Sequence, residues 1–217
     1  LPGVIDDSPS HQAARAAQPI SVLDVGCGGG IAAFALTGTV TKAIGVDHQA
    51  EMLAMFAANA EARDLEHEEV LGDWPDVAAL TPNADVVTCH HVAYNVSEIA
   101  PFIEHLSAHA HKRVVLEVPQ QHPLAGLSAA WKLFWNLERP TEPTSELLVE
   151  VIKEIGYAAE FAHWQADAPR QVSIDDETRF TRIRLCLDQS RDNEVREFLT
   201  NQSAPAARRL TTIWWDV

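Results

Sequence analysis

Four glycines fall within five residues, Gly26 to Gly30, between the apolar runs ISVLDV (20–25) and IAAFAL (31–36). No other feature limits the fold so sharply. A backbone stripped of side chains between a buried strand and a helix permits positive φ and lets another group lie directly on the main chain. Such a turn stands at the carboxyl end of a strand, where open α/β sheets bind ligands. Two phosphate-binding signatures fail on it. A dinucleotide fingerprint in register with Gly26 and Gly28 puts Ile31 where its third glycine belongs, and a P-loop needs a lysine that the turn lacks. What remains is an acid, Asp24, two positions ahead of Gly26, Gly28 and Gly30.

The chain beyond the turn alternates strand and helix. Short β-branched runs predict strands over 20–25, 42–47, 68–73, 84–90 and 112–118, with helices over 49–62 and 98–109. Leu53, Phe56, Ala57 and Ala60 share one face of the first of these helices. Strands spaced by helices mean βαβ units and a parallel sheet.

The last hundred residues are less regular. HPLAGLSAAWKLFWNLE predicts a helix with Leu127, Trp131, Phe134 and Trp135 on one side, ended by RPTEPT. SELLVEVIKEIGY predicts another, with Ser145 as its cap and Gly156 at its end. A strand is expected over 158–165. The stretch SIDDETRFTRIRLCL alternates like a strand at Thr181, Ile183, Leu185 and Leu187, yet Phe180, Ile183 and Leu187 also fit a helix. The capping box of Ser173 and Asp176, with acids in the first turn, decides for helix over 174–187. LTTIWWDV (210–217) is then the last strand.

Charge and cysteine content narrow the class of partner. With 31 acidic against 16 basic residues the net charge is −15, a field that repels phosphate backbones and argues against a nucleic-acid partner. Three scattered cysteines, with no paired spacing, suggest neither a zinc site nor a disulfide framework, and fit a reducing cytoplasm. No segment has the length of a membrane span.

Asp24-Val-Gly26-Cys27-Gly28-Gly-Gly30 resembles the nucleoside-binding signature of S-adenosylmethionine-dependent methyltransferases of the Rossmann-like class. The resemblance continues at later strand ends. Asp47 closes the second strand, 23 residues after Asp24; Asp73 and Trp74 follow the third; CHHVAYN follows the fourth. The string as a whole is also similar to actinobacterial members of that family. The resemblance implies S-adenosylmethionine as cofactor and a seven-stranded sheet of order 3-2-1-4-5-7-6 with the last strand antiparallel. By it, Asp24 supports the methionine end of the cofactor and Gly26, Cys27, Gly28 and Gly30 offer backbone. Asp47 accepts the ribose hydroxyls, a bidentate arrangement, and His48 and Met52 line the adenine pocket. Asp73 takes the adenine amino group, Trp74 lies against the ring or in the core, and His90 borders the methionine moiety.

The acceptor half is less legible. A small molecule is the expected acceptor, because no Asn/Asp-Pro-Pro-aromatic motif of the nucleic-acid branches follows the fourth strand. A tRNA, rRNA or protein acceptor, and a non-catalytic S-adenosylmethionine-binding protein, are the alternatives. His90, His91 and Tyr94 are the candidates for a base, unranked. Adjacent histidines on a strand point to opposite faces and rarely share a metal, so no metal is expected. The expected organisation is one domain over 1–217, with 1–19 as a lead-in that serves as lid. Residues 120–145 and 173–205 are helical elaborations, the first of which also contributes to the lid.

Overall fold

Each β-branched run becomes a strand of one sheet in the computed structural model, which describes residues 20–35, 38–166, 172–202 and 208–217. The strands are β1 (Ile20–Val25), β2 (Val40–Asp47), β3 (Glu66–Leu71), β4 (Ala84–His90), β5 (Ala110–Pro119), β6 (Glu160–Gln165) and β7 (Arg209–Asp216). They lie in the order β3-β2-β1-β4-β5-β7-β6, and β7 alone runs antiparallel to its neighbours. This is the expected Rossmann-like order. The chain winds outward from β1 in both directions, so a crevice opens at the carboxyl ends of β1 and β4.

The helices are α1 (Ile31–Phe34), α2 (Ala50–Glu61), α3 (Ile99–His109), α4 (Ser128–Trp135), α5 (Ser145–Ile155), α6 (Ile174–Arg184) and α7 (Asp192–Thr200). Successive residues of β1 feed opposite layers, as strand geometry requires. Val22 joins Ala33, Phe34, Leu53 and Phe56 under α1 and α2. Leu23 joins Phe102, Ile103, Leu106, Val149 and Ile152 under α3 and α5. Trp215 is buried in that second layer, and its indole N–H donates to the Ser107 hydroxyl at 3.0 Å.

A third, smaller core lies apart from these. Ala130 of α4 packs with Leu185, Leu187 and Val195, bordered by Trp131, Phe134 and Phe198. Here α4, which follows β5, meets α6 and α7, which are inserted between β6 and β7. The indole N–H of Trp135 donates to the Leu185 carbonyl at 2.8 Å and ties the two segments together.

Several local expectations need correction. Ser145 is not a cap: Thr144 holds that position, and the buried Ser145 hydroxyl accepts from Thr211 of β7 at 2.8 Å. Gly156 does end α5, at φ 114. The capping box stands, since Ser173 accepts from the Asp176 N–H. Yet α6 buries Thr178 and Thr181, while Phe180 and Ile183 are 51% and 53% exposed. The helical period was right and the face was not, because α6 turns toward α7 and not toward the sheet. In α4 the buried residue is Ala130, and Trp135 is 49% exposed. The expected lead-in over 1–19 lies outside the described residues.

Candidate functional site

The buried carboxylate of Asp24, 1% exposed, anchors the site. Parallel pairing sets Asp24 beside Thr88 of β4, whose hydroxyl donates to its Oδ1 at 2.8 Å. Its Oδ2 is buried with no partner among the described residues. Burial raises the Asp24 pKa to about 6, against the lowering effects of the Thr88 hydroxyl and of the Ala33 backbone N–H, which faces the carboxylate without closing a well-formed hydrogen bond. A carboxylate oxygen sealed from water and left unpaired is costly unless a ligand's donor completes it.

The glycine turn serves two purposes. At Gly26 (φ 71) a side chain would meet Val92 Cγ2 at 2.3 Å, so this glycine lets the loop after β4 close on the loop after β1. At Gly28 (φ 50) an added Cβ would meet nothing within 4 Å, which leaves open backbone beside the crevice. Gly30 covers the Phe34 ring and Gly29 faces Met55, so both serve packing. The Cys27 thiol is buried, and burial raises its pKa well above the ordinary thiol range, with Asp24 and Asp47 adding to the effect. It is not a nucleophile poised for attack.

Asp47 closes β2 and reaches both sides of the crevice. Its Oδ2 accepts the Gly28 N–H at 3.0 Å and its Oδ1 accepts the Gln49 N–H at 2.9 Å. It therefore braces the glycine turn and caps the entry to α2. A carboxylate has about four acceptor positions, so capacity remains for two hydroxyls. His48 points outward, its side chain 62% exposed, and Met52 is half-buried. Asp73 is exposed after β3. Trp74 packs against the main core and edge-on to His109 at 4.8 Å, with its indole N–H buried and unpartnered among the described residues. The ring thus serves the core.

His90, His91 and Tyr94 sit together at the end of β4 but in different settings. Burial lowers the His90 pKa to about 4, and its Nε2 is buried without a partner among the described residues. His91 adopts φ 61, a left-handed conformation uncommon outside glycine. Its backbone N–H donates to the Glu117 carbonyl at 2.7 Å, and its Nε2 lies 3.2 Å from Glu117 Oε1. The Tyr94 ring lies edge-on to His122 at 5.5 Å, and burial raises its pKa.

Behind Tyr94 lies a cavity of about 250 Å³, walled by Val96, Ile99, Val118 and Leu148 and reached by His122 and Thr144. A larger hollow of about 520 Å³ lies between Phe134 and Phe198 on α4 and α7, with none of the glycine-turn residues in its wall. The smaller one borders the site. Among the described residues no group of three metal-ligating side chains occurs, and no helix is long and apolar enough to cross a membrane.

Thr88, Val92, Gln49 and Glu117 were not expected from the sequence. All but Gln49, which bonds Asp47 two residues away, act through a neighbour from another strand or loop. Asp24 meets Thr88, and His90 meets Glu117, only once the register of β1, β4 and β5 is known.

Residues 22–112 match the family model described as a methyltransferase domain, a stretch from β1 into β5 that holds the glycine turn and all three acids. No curated protein matches the chain. Among solved structures, the YcgJ protein from Bacillus subtilis covers 92% of this chain and 92% of its own, at 18% identity and TM-score 0.59. Magnesium protoporphyrin IX methyltransferase from Synechocystis, solved with bound SAH, matches over 90% of this chain and 74% of its own, at 16% identity and TM-score 0.56. Precorrin 8w decarboxylase from Methanobacterium thermoautotrophicum matches over 92% and 83%, at 13% identity and TM-score 0.55. At these identities the likeness is one of fold.

Proposed function

We propose that this chain, whose residues 22–112 match the methyltransferase-domain model, is an S-adenosylmethionine-dependent methyltransferase acting on a small molecule. The carrying observation is the buried Asp24 carboxylate beside the glycine turn, whose Oδ2 lacks a well-formed hydrogen bond. An ammonium group is the partner such an oxygen lacks, and a pKa of about 6 leaves Asp24 largely ionised near neutrality to receive it. Gly28 gives a ligand open backbone to lie on, and Asp47 keeps acceptor capacity for a diol. Asp24, Asp47 and the glycine turn fit the cofactor on these grounds. In this reading Asp73, exposed after β3, takes the adenine amino group, with His48 and Met52 beside the ring.

When bound, the cofactor supplies a sulfonium methyl as electrophile, the carbon–sulfur bonding pair returning to sulfur. The protein's own task is then orientation and exclusion of water. Asp24 and Asp47 fix the two ends of the ligand. The loop 90–95 presents His90, His91 and Tyr94 to the acceptor, one of them serving as base where the acceptor must lose a proton. A small, mostly apolar acceptor suits the cavity behind Tyr94, which at about 250 Å³ falls just under the usual range of ligand pockets. A net charge of −15 weighs against nucleic acid. Two of the solved structures of like fold are named for porphyrin and precorrin chemistry, and this cavity suits a smaller molecule than those macrocycles.

Calorimetry with S-adenosylhomocysteine and with NAD tests the reading. Binding of the first and not the second is expected. The reverse pattern overturns it.

A further inference from the structure

We propose that Glu117 is the positioning residue that makes His91, and not His90, the base of the transfer; this rests on the methyltransferase reading above. The two histidines are adjacent in sequence, yet the fold separates their roles. His90 is the last residue of β4 and pairs in register with Glu117 of β5. Its imidazole is withdrawn, with Nε2 shut from water. His91 is the first residue past the strand, and its left-handed backbone turns it out of the sheet's alternation.

Glu117 holds His91 at two points. Its carbonyl accepts the His91 backbone N–H at 2.7 Å, and its carboxylate stands 3.2 Å from Nε2. The Glu117 side chain is only 16% exposed, and that of His91 37%. An ionised carboxylate accepts but cannot donate. At 3.2 Å the pair is a close charge contact and not an aligned hydrogen bond; the negative charge of Glu117 favours the tautomer with the proton on Nε2, which leaves Nδ1 its lone pair. That nitrogen has no hydrogen-bond partner among the described residues. The carboxylate biases the tautomer, and the carbonyl of the same residue fixes the His91 backbone.

Among the described residues, three charged or titratable groups act on His91. His90 precedes it on β4, Glu117 faces it from β5, and Arg208 approaches from the start of β7. Burial lowers the His91 pKa, Glu117 raises it, and Arg208 lowers it again. Glu117 thus keeps His91 nearer the basicity a proton acceptor needs, where His90 at about 4 is too weak a base. In the step itself the acceptor's X–H proton passes to Nδ1. The bonding pair it leaves forms the new bond to the methyl carbon, and the imidazolium is held by Glu117.

The test is a histidine ring NMR titration of the whole chain, with the His91 signals assigned from their loss in His91→Asn. In the parent chain Nε2 should be the protonated nitrogen of neutral His91. Glu117→Gln should lower the His91 titration by about one pH unit, the low end for loss of a facing charge, and Glu117→Asp should recover part of it. With an acceptor in hand, the acid limb of kcat should move down with that titration. Turnover should fall about tenfold or more in Glu117→Gln while S-adenosylhomocysteine affinity holds. If S-adenosylhomocysteine binds but the His91 titration is unmoved in Glu117→Gln, the role of Glu117 is overturned alone. If no S-adenosyl compound binds, the methyltransferase reading falls and takes the base with it.

Discussion

The half of the molecule from β1 to β4 and the half from β5 to β7 are built on different logic. In the first, strands and helices alternate regularly, and the functional groups sit at the ends of successive strands. In the second, α4 must find α6 and α7 across the whole of α5 and β6 before any of the three has a core. Local pattern therefore specifies the elements of the first half, though not the register of β1 on β4. In the second it specifies that helices form but not which way they face.

Leu185→Ala tests that separation most severely. Leu185 is fully buried in the small core, and its carbonyl receives the Trp135 indole. Truncation should cost about 2–5 kcal/mol, read as hydrogen-exchange protection lost in α4, α6 and α7 with S-adenosylhomocysteine affinity unchanged. Loss of affinity would mean that the two halves are not independent.

Gly26→Ala should act within the first half at somewhat lower cost. Positive φ and the contact with Val92 together predict about 2–4 kcal/mol of destabilisation, seen in denaturant melts without ligand. Gly28→Ala is its control. With open space around the added methyl it should lose about 1 kcal/mol of stability, for its left-handed backbone alone, and show its main effect in ligand affinity. Equal stability loss in both variants would remove the distinction drawn between them.

Asp47→Ala should weaken S-adenosylhomocysteine binding tenfold or more, because charged hydrogen bonds contribute about 1.5–3 kcal/mol each. An unchanged dissociation constant would make Asp47 a brace and a cap only.

The smallest effect concerns Asp24. Its folded pKa of about 6 lies above the ordinary 3.8, so the folded protein holds a proton over that window where the unfolded chain has lost it. Ligand-free stability from this group therefore falls as pH rises from about 4 to 6. A cationic ligand reverses the preference. S-adenosylmethionine affinity should rise with pH through 6, by up to about tenfold between pH 5 and pH 7, and Asp24→Asn should flatten the profile.

The legibility of the site follows the same division. The positions of Asp24, Asp47 and the glycine turn at strand ends were readable, because hydrophobic pattern alone locates those ends. Thr88 and Glu117 were not, since each matters through a partner on a neighbouring strand. The residue opposite it depends on a register that no local pattern carries. Trp74 was left open between ligand wall and core, and only the fold shows its ring against His109 and the core. On α6 the apolar residues Phe180 and Ile183 suggested the buried face, but the threonines occupy it. That choice is made by α7, which sequence periodicity does not see.

The contact between Gly26 and Val92 bears on how such chains diverge. The first glycine is demanded by the meeting of two loops, whether or not anything binds between them. A descendant that lost its ligand would still be held to glycine there, while Gly28, with open space beyond it, would be held only by its left-handed backbone. In comparing relatives, retention at the first position would then record architecture, and retention at the second, beyond that backbone preference, would record use.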